Sequence, residues 1–213
     1  ISSFSHHQVL RHEEASISNV LSSLPNYDVL HLCCHGTDNL KNPLSSGLLM
    51  SDGLLTLRNV LNSQLSGIRL VILSADETGL SGISLPDEVV SFPSGLLQSG
   101  SAGVVAPLWS VSDFSTMMLF TRFYIFWRGE NLEIAQALRQ AQKWMRDTTN
   151  GEKTIFFKRF LPESATDKDS ELVRSALPAD VADYLYKYLI LSNPNAEDFV
   201  HPLHWAAVSY TGV

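Results

Sequence analysis

The sequence predicts an α/β fold in which a mostly parallel β-sheet is sandwiched between helices. Three observations lead there. Apolar runs of strand length recur at residues 27–34, 69–73 and 103–108. Segments with helical spacing of apolar residues separate them. Each run ends in polar or small residues: His35-Gly36, then Asp76-Glu77-Thr78-Gly79, then Trp109-Ser110-Val111-Ser112-Asp113. Runs that are apolar throughout suit strands covered on both faces, as in parallel sheets flanked by helices. Right-handed crossovers then follow by default.

The elements are expected in this order. Residues 13–24 form a helix with Ala15, Ile17, Val20 and Leu21 on one side, ended by Pro25-Asn26. Residues 27–34 are the first strand. Residues 38–46 are a polar loop with Pro43, and 47–50 a strand whose turn is Ser51-Asp52-Gly53. Leu54-Leu55 leads into Thr56, an N-cap for a helix through Leu61. Residues 69–73 are the second buried strand. A loop with Gly79 and Gly82 follows, then a helix over 86–98 that Pro93 should break or kink. Residues 103–108 are the third strand. Residues 114–127 are apolar nearly all round, the mark of a helix buried on most faces. Residues 132–145 are amphipathic, with Ala135, Leu138, Ala141 and Met145 on one stripe. Residues 149–200 read as a helical insertion that includes a helix over 178–191, with Pro178 in its first turn. Residues 205–210 form the last strand.

Composition excludes several classes. The chain has 213 residues, 45% of them hydrophobic and 17% charged, which is too apolar for a disordered protein. The length suits a single domain over 1–213. The balance of 15 basic and 22 acidic residues gives −7 and no dense basic block, so direct nucleic-acid binding is not expected. No stretch reaches a membrane span, the nearest (117–127) being interrupted by Arg122. The chain starts with Ile1 and lacks a signal pattern, so it reads as a cytoplasmic piece of a longer polypeptide. Cys33 and Cys34 are adjacent, a poor geometry for a disulfide, and read as small apolar residues in a reducing compartment. No metal or other cofactor is expected. His201 and His204 lack a third ligand, Asp52-Gly53 lacks the alternating acids of a calcium loop, and no Lys-Ser/Thr follows Gly79 and Gly82.

In open α/β sheets chemistry collects at the carboxyl ends of the strands. That rule selects His35-Gly36, the segment from Asp76, and the segment from Trp109, and all three can face one crevice. His35 is the candidate site histidine. His31, inside the strand, reads as structural, as do His201 and His204, while His6, His7 and His12 read as surface residues. Asp113 is either a helix N-cap or an acidic wall of a substrate pocket. Asp87 and Glu88 either start a helix, where acids favour the dipole, or line the cleft. Glu77 is either solvated beside the site or part of its substrate-binding wall. Trp109 packs under the pocket or touches substrate.

At these segments the chain resembles the CHAT family of caspase-like peptidase domains, often fused to TPR repeats. The family's H-F-x-C-H-G stands here as His31-Leu32-Cys33-Cys34-His35-Gly36. A P-x-x-S-x-L-x-L-x-D-G-x-L-T segment matches residues 43–56. L-S-A-C-E-T-G becomes Leu73-Ser74-Ala75-Asp76-Glu77-Thr78-Gly79. The pair Asp87-Glu88, the G-A-x-x-V-V-A-x-L-W-x-V-x-D motif at 100–113, A-L-R-x-A-Q at 137–142 and P-x-x-W-A-A at 202–207 follow in order. The match runs from about Glu14 to the C-terminus, with 149–200 longer than the usual pattern. Seven motifs in order are specific where one is not.

The resemblance implies a caspase-type fold and a cysteine endopeptidase that cuts a protein or peptide substrate through a His–Cys dyad. By position His35 is the acid/base, and the backbone N–H groups of Gly36 and residue 76 form the oxyanion hole. It also implies control by upstream repeat or sensor domains or by a regulatory partner. In some relatives that partner is an RNA-guided complex of bacterial defence. One departure decides the chemistry: Asp76 stands where the nucleophilic cysteine belongs. A carboxylate attacking an amide would form an anhydride and expel a poor leaving group. It would also hold His35 as imidazolium, removing the free base. The chain is therefore expected to be catalytically silent as written, whether the Asp is natural or introduced. Cys34 does not replace the nucleophile, because neighbouring strand residues point to opposite faces. The alternative is a pseudopeptidase that binds a peptide or protein without cutting it.

Overall fold

In the computed structural model, residues 4–37, 39, 41–74, 91–162 and 177–213 are described. The chain forms two compact units, residues 8–111 with 207–213, and residues 1–7 with 112–206.

The first unit is built on a four-stranded sheet. Its strands are β1 (Val29–Leu32), β5 (Leu70–Leu73), β6 (Gly103–Pro107) and β7 (Val208–Gly212), in the spatial order β1-β5-β6-β7. β1, β5 and β6 run parallel, and β7 is antiparallel to β6. The sheet is thus mostly parallel, as the alternation of buried runs and helices requires. β5 lies between two neighbours, and all four of its side chains are completely buried. Burying one such aliphatic side chain stabilises by roughly 1.5–3 kcal/mol.

A second, antiparallel sheet follows β1: β2 (Gly36–Thr37), β3 (Gly47–Met50) and β4 (Gly53–Thr56). The turn at Ser51-Asp52 passes through Gly53 at φ +146°, a conformation side chains resist. Gly47 is required for another reason. A Cβ there would lie 2.4 Å from the Leu55 carbonyl oxygen, so only glycine lets β3 approach β4.

The helices of this unit begin where caps allow. α1 spans Ile17–Ser23 rather than starting at residue 13, because Ser16 caps it by accepting from Asn19 N–H (3.2 Å). α2 (Leu57–Leu61) starts at Thr56, as the sequence predicts, with a full capping box through Asn59. α3 (Phe92–Gln98) is capped by Ser91. Pro93 falls in its first turn, where a missing N–H costs nothing, so it opens the helix instead of kinking it. The core joins Leu32, Leu48, Leu55, Leu57, Val71, Leu73, Phe92 and Leu96 with their neighbours.

The second unit is helical. α4 (Asp113–Tyr124) runs into a π-helical turn at Ile125–Gly129 and packs on α5 (Ile134–Asp147). Ser112 caps α4 by accepting from Ser115 N–H, so Asp113 is its first helical residue and not the cap. α5 buries Ile134, Ala137, Leu138, Ala141 and Met145. Ala135 is exposed, one helical step off the stripe expected for it. α6 (Asn150–Lys158) packs on α7 (Ala179–Ile190), for which Pro178 is the N-cap rather than a first-turn residue. A short α8 (Pro202–Trp205) takes up Trp205, which the sequence reading assigned to the final strand, and that strand runs over Val208–Gly212 instead. Pro202 opens the helix and His201 caps it, accepting Leu203 N–H at Nδ1 (3.2 Å).

Candidate active site

The register of the parallel sheet fixes the level of the site. Val29 to Leu32 pair in order with Leu70 to Leu73, so the chain leaves β1 and β5 at the same height. His35 follows Leu32 by three residues. Asp76 follows Leu73 by three in the sequence, and it lies outside the described residues together with Glu77, Asp87 and Glu88.

His35 is exposed, and its backbone is held: its carbonyl accepts from Leu49 N–H at 2.8 Å. That bond determines the next residue. Gly36 pairs with Leu48 and Thr37 with Gly47 in an antiparallel ladder, where hydrogen-bonded and non-bonded pairs alternate. Since 35 and 49 are bonded, Gly36 and Leu48 form a non-bonded pair. The Gly36 N–H therefore turns away from β3, leaving a backbone donor beside the exposed imidazole.

Below His35, the chain is tied across the sheet. His31 Nε2 and Ser74 Oγ are 2.6 Å apart, and Ser74 N–H donates to the Leu32 carbonyl at 3.0 Å. Burial pushes the His31 imidazole down to about 4, so it is neutral near pH 7. The sequence reading took His31 as structural and missed Ser74 as its partner. The register of the strands shows why they meet: His31 pairs with Ile72, and Ser74, two residues on, shares that face of the sheet.

Cys33 is exposed and Cys34 is half-buried against the core, both as free thiols. Burial, and secondarily Cys33, raise the Cys34 thiol to about 12. It is therefore protonated at physiological pH and a poor nucleophile.

Trp109 follows β6, whose exit is pinned by Leu108 N–H donating to the Ala207 carbonyl at 2.6 Å. Trp109 is half-buried, and among the described residues its indole N–H meets no acceptor. Asp113 is exposed in the first turn of α4, where a carboxylate favours the helix dipole. The structure thus pairs His31 with Ser74 and sets His35 and Gly36 just beyond β1, all within the first unit, while Asp113 belongs to the second. His204 is bonded to Ser115 Oγ through Nδ1 (3.0 Å) and packs edge-on against Phe199. His6, His7 and His12 are exposed.

The CHAT domain family model matches residues 2–212, nearly the whole chain. The chain belongs to the CHAT family. This is a caspase-like peptidase family, and the mostly parallel sheet with its helices is the architecture such a domain needs. No curated protein matches the chain at a significant level. Among the described residues, no helix of this CHAT domain is long and apolar enough to cross a membrane. Among the same described residues, no three or more His, Cys, Asp or Glu side chains gather as a metal would require.

Proposed function

We propose that this CHAT domain carries the site of a caspase-like endopeptidase acting on a protein substrate, with its nucleophile position occupied by Asp76. His35 is the acid/base. The Gly36 N–H stabilises the oxyanion together with the backbone N–H of residue 76. Trp109, Glu77, Asp87 and Glu88 shape substrate binding. Repeat or sensor domains, or a regulatory partner such as an RNA-guided complex in bacterial defence, gate the site. The observation that carries this reading is the pairing of an exposed His35 with a Gly36 N–H turned away from its ladder partner.

With Asp76 in place the site binds and does not cut. A carboxylate at position 76 supplies no thiolate, and its attack on an amide would have to expel a poor leaving group. The test is a paired cleavage assay against a broad peptide library, comparing the chain with its Asp76→Cys variant. The variant should cut, and adding His35→Ala should lower its rate by about 10²–10⁴-fold. Cleavage by the chain bearing Asp76 would overturn the account of that residue. If neither chain cuts but both retain peptides from the library, the crevice is a binding module, the pseudopeptidase that Asp76 itself favours.

A further inference from the structure

We propose that His31 is a positioning residue of this site, whose hydrogen bond to Ser74 locks the exits of β1 and β5, the strand ends from which the sequence continues to His35 and to residue 76. The inference rests on the peptidase reading above and deepens it. Four observations carry it. The His31 Nε2 to Ser74 Oγ distance is 2.6 Å, a short bond between residues 43 apart in sequence. Ser74 N–H also donates to Leu32 O at 3.0 Å, so Ser74 is held by both main chain and side chain. The strand ladder places His31 opposite Ile72, which makes His31 and Ser74 diagonal neighbours on one face. Finally, both residues lie close to the chemistry: His31 is four residues before His35, and Ser74 is two before Asp76.

Main-chain pairing alone fixes the strands but not the direction in which a chain leaves them. Beyond Leu73 the ladder contributes one more bond, from Ser74 to Leu32. The side-chain bond between the His31 imidazole and Ser74 Oγ removes the remaining rotation of Ser74. The reacting groups of a nucleophile–base pair must be held within about 1 Å, and small misplacement from a distance costs about 100-fold. His31 acts through Ser74 and touches no substrate.

The experiment places His31→Leu, His31→Gln, Ser74→Ala and Ser74→Thr in the Asp76→Cys background. Two readouts are taken: peptide cleavage, and the rate at which the thiol introduced by Asp76→Cys is alkylated by iodoacetamide, followed by peptide mapping that separates it from Cys33 and Cys34. His31→Leu and Ser74→Ala should each lower kcat by about 10- to 100-fold with KM within about twofold. They should slow alkylation in parallel, and the double variant should be no worse than either single one. His31→Gln, which keeps a polar nitrogen near the Nε2 position, and Ser74→Thr, which keeps the hydroxyl, should recover most of both. If His31→Leu lowers only the melting temperature and leaves kcat and alkylation unchanged, His31 is a strut and the proposal fails. If no variant cuts peptide yet alkylation falls in His31→Leu and recovers in His31→Gln, the positioning role stands and the peptidase reading falls.

Discussion

The two units solve the same packing problem with different chemistry. In the sheet unit, Leu70, Val71, Ile72 and Leu73 are entirely buried among aliphatic neighbours. In the helical unit, Lys153 is equally buried. Its ammonium donates to the Thr148 carbonyl and lies 5.5 Å from the Trp144 ring and 5.4 Å from the Phe199 ring. The Arg122 guanidinium sits 4.2, 4.7 and 5.1 Å from Phe126, Phe156 and Trp144. Burial lowers the Lys153 amine to about 8 and Arg122 to about 10, so both cations carry a desolvation cost. Aliphatic burial is non-directional and stabilises without such a cost. Aromatic–cation contacts are directional and only partly offset it. The sheet core should therefore hold the larger share of side-chain stabilisation, and the helical core should show more specificity than strength.

The largest effect expected follows directly. Ile72→Ala deletes part of the best-packed strand and should cost about 2–5 kcal/mol. Lys153→Met keeps the length and apolar stem of the side chain and removes the buried charge. Replacing buried charges by apolar groups is often neutral or stabilising, so its effect should stay within about 1 kcal/mol. Urea unfolding followed by hydrogen exchange in each unit separates the two. If Lys153→Met costs as much as Ile72→Ala, the ammonium contacts outweigh desolvation and the comparison is inverted.

pH sharpens it next. His31 is lowered to about 4 from 6.5, so between those values the unfolded chain binds a proton that the folded chain refuses. Stability attached to His31 is thus lost as pH falls from about 6.5 to about 4, at up to roughly 1.4 kcal/mol per pH unit. Lys153, lowered to about 8 from 10.5, works in the alkaline window. The unfolded chain is protonated there and the folded one is not, so stability rises as pH climbs from 8 toward 10.5. Melting temperatures against pH should show both limbs. His31→Gln should flatten the acid limb and Lys153→Met the alkaline one. An unchanged acid limb in His31→Gln would mean that carboxylates alone set it.

The three parallel strands were legible in the sequence, β5 and β6 most of all, because strands buried along their whole length read as unbroken apolar runs. Helix ends were less legible. Residues 13–16 have helical composition, but the Ser16 side chain offered a better start, and Pro93 was taken as a breaker where its position behind Ser91 made it an opener. β4 was read only as a restart of the chain, since four residues of Gly-Leu-Leu-Thr carry no alternation. At the site, His35 and Gly36 were readable from their place at a strand end. The Gly36 N–H direction was not, because it depends on ladder phase, which only the pairing of β2 with β3 defines. The His31–Ser74 bond required the register of β1 against β5, a contact between residues 43 apart that no local pattern encodes. In the helical unit, Arg122 was read only as the interruption of an apolar run and Lys153 was not singled out, because the rings that surround them come together only in the fold.

The smallest effect contrasts two capping boxes, one in each unit. In the sheet unit, Thr56 N–H and Oγ1–H both donate to Asn59 Oδ1, at 3.0 and 2.6 Å, and Asn59 N–H returns a bond to Thr56 Oγ1 at 3.2 Å. In the helical unit, Thr149 N–H and Oγ1–H donate to Glu152 Oε2, at 2.7 and 3.0 Å, and Glu152 N–H bonds back at 3.2 Å. The geometries match, but one acceptor is a neutral amide and the other a carboxylate. Thr56→Ala should cost about 1 kcal/mol, and the cost should be flat with pH. The Thr149 backbone and side-chain bonds hold the Glu152 carboxyl below its usual range. Its contribution is complete above the unfolded carboxylate value and disappears as pH falls through the lower folded one. The penalty of Thr149→Ala should therefore be larger at neutral pH than in acid. Unfolding titrations of both variants at pH 7 and pH 3 decide the matter: parallel pH profiles would mean that the exposed Glu152 is fully screened by solvent and that the two boxes are energetically the same.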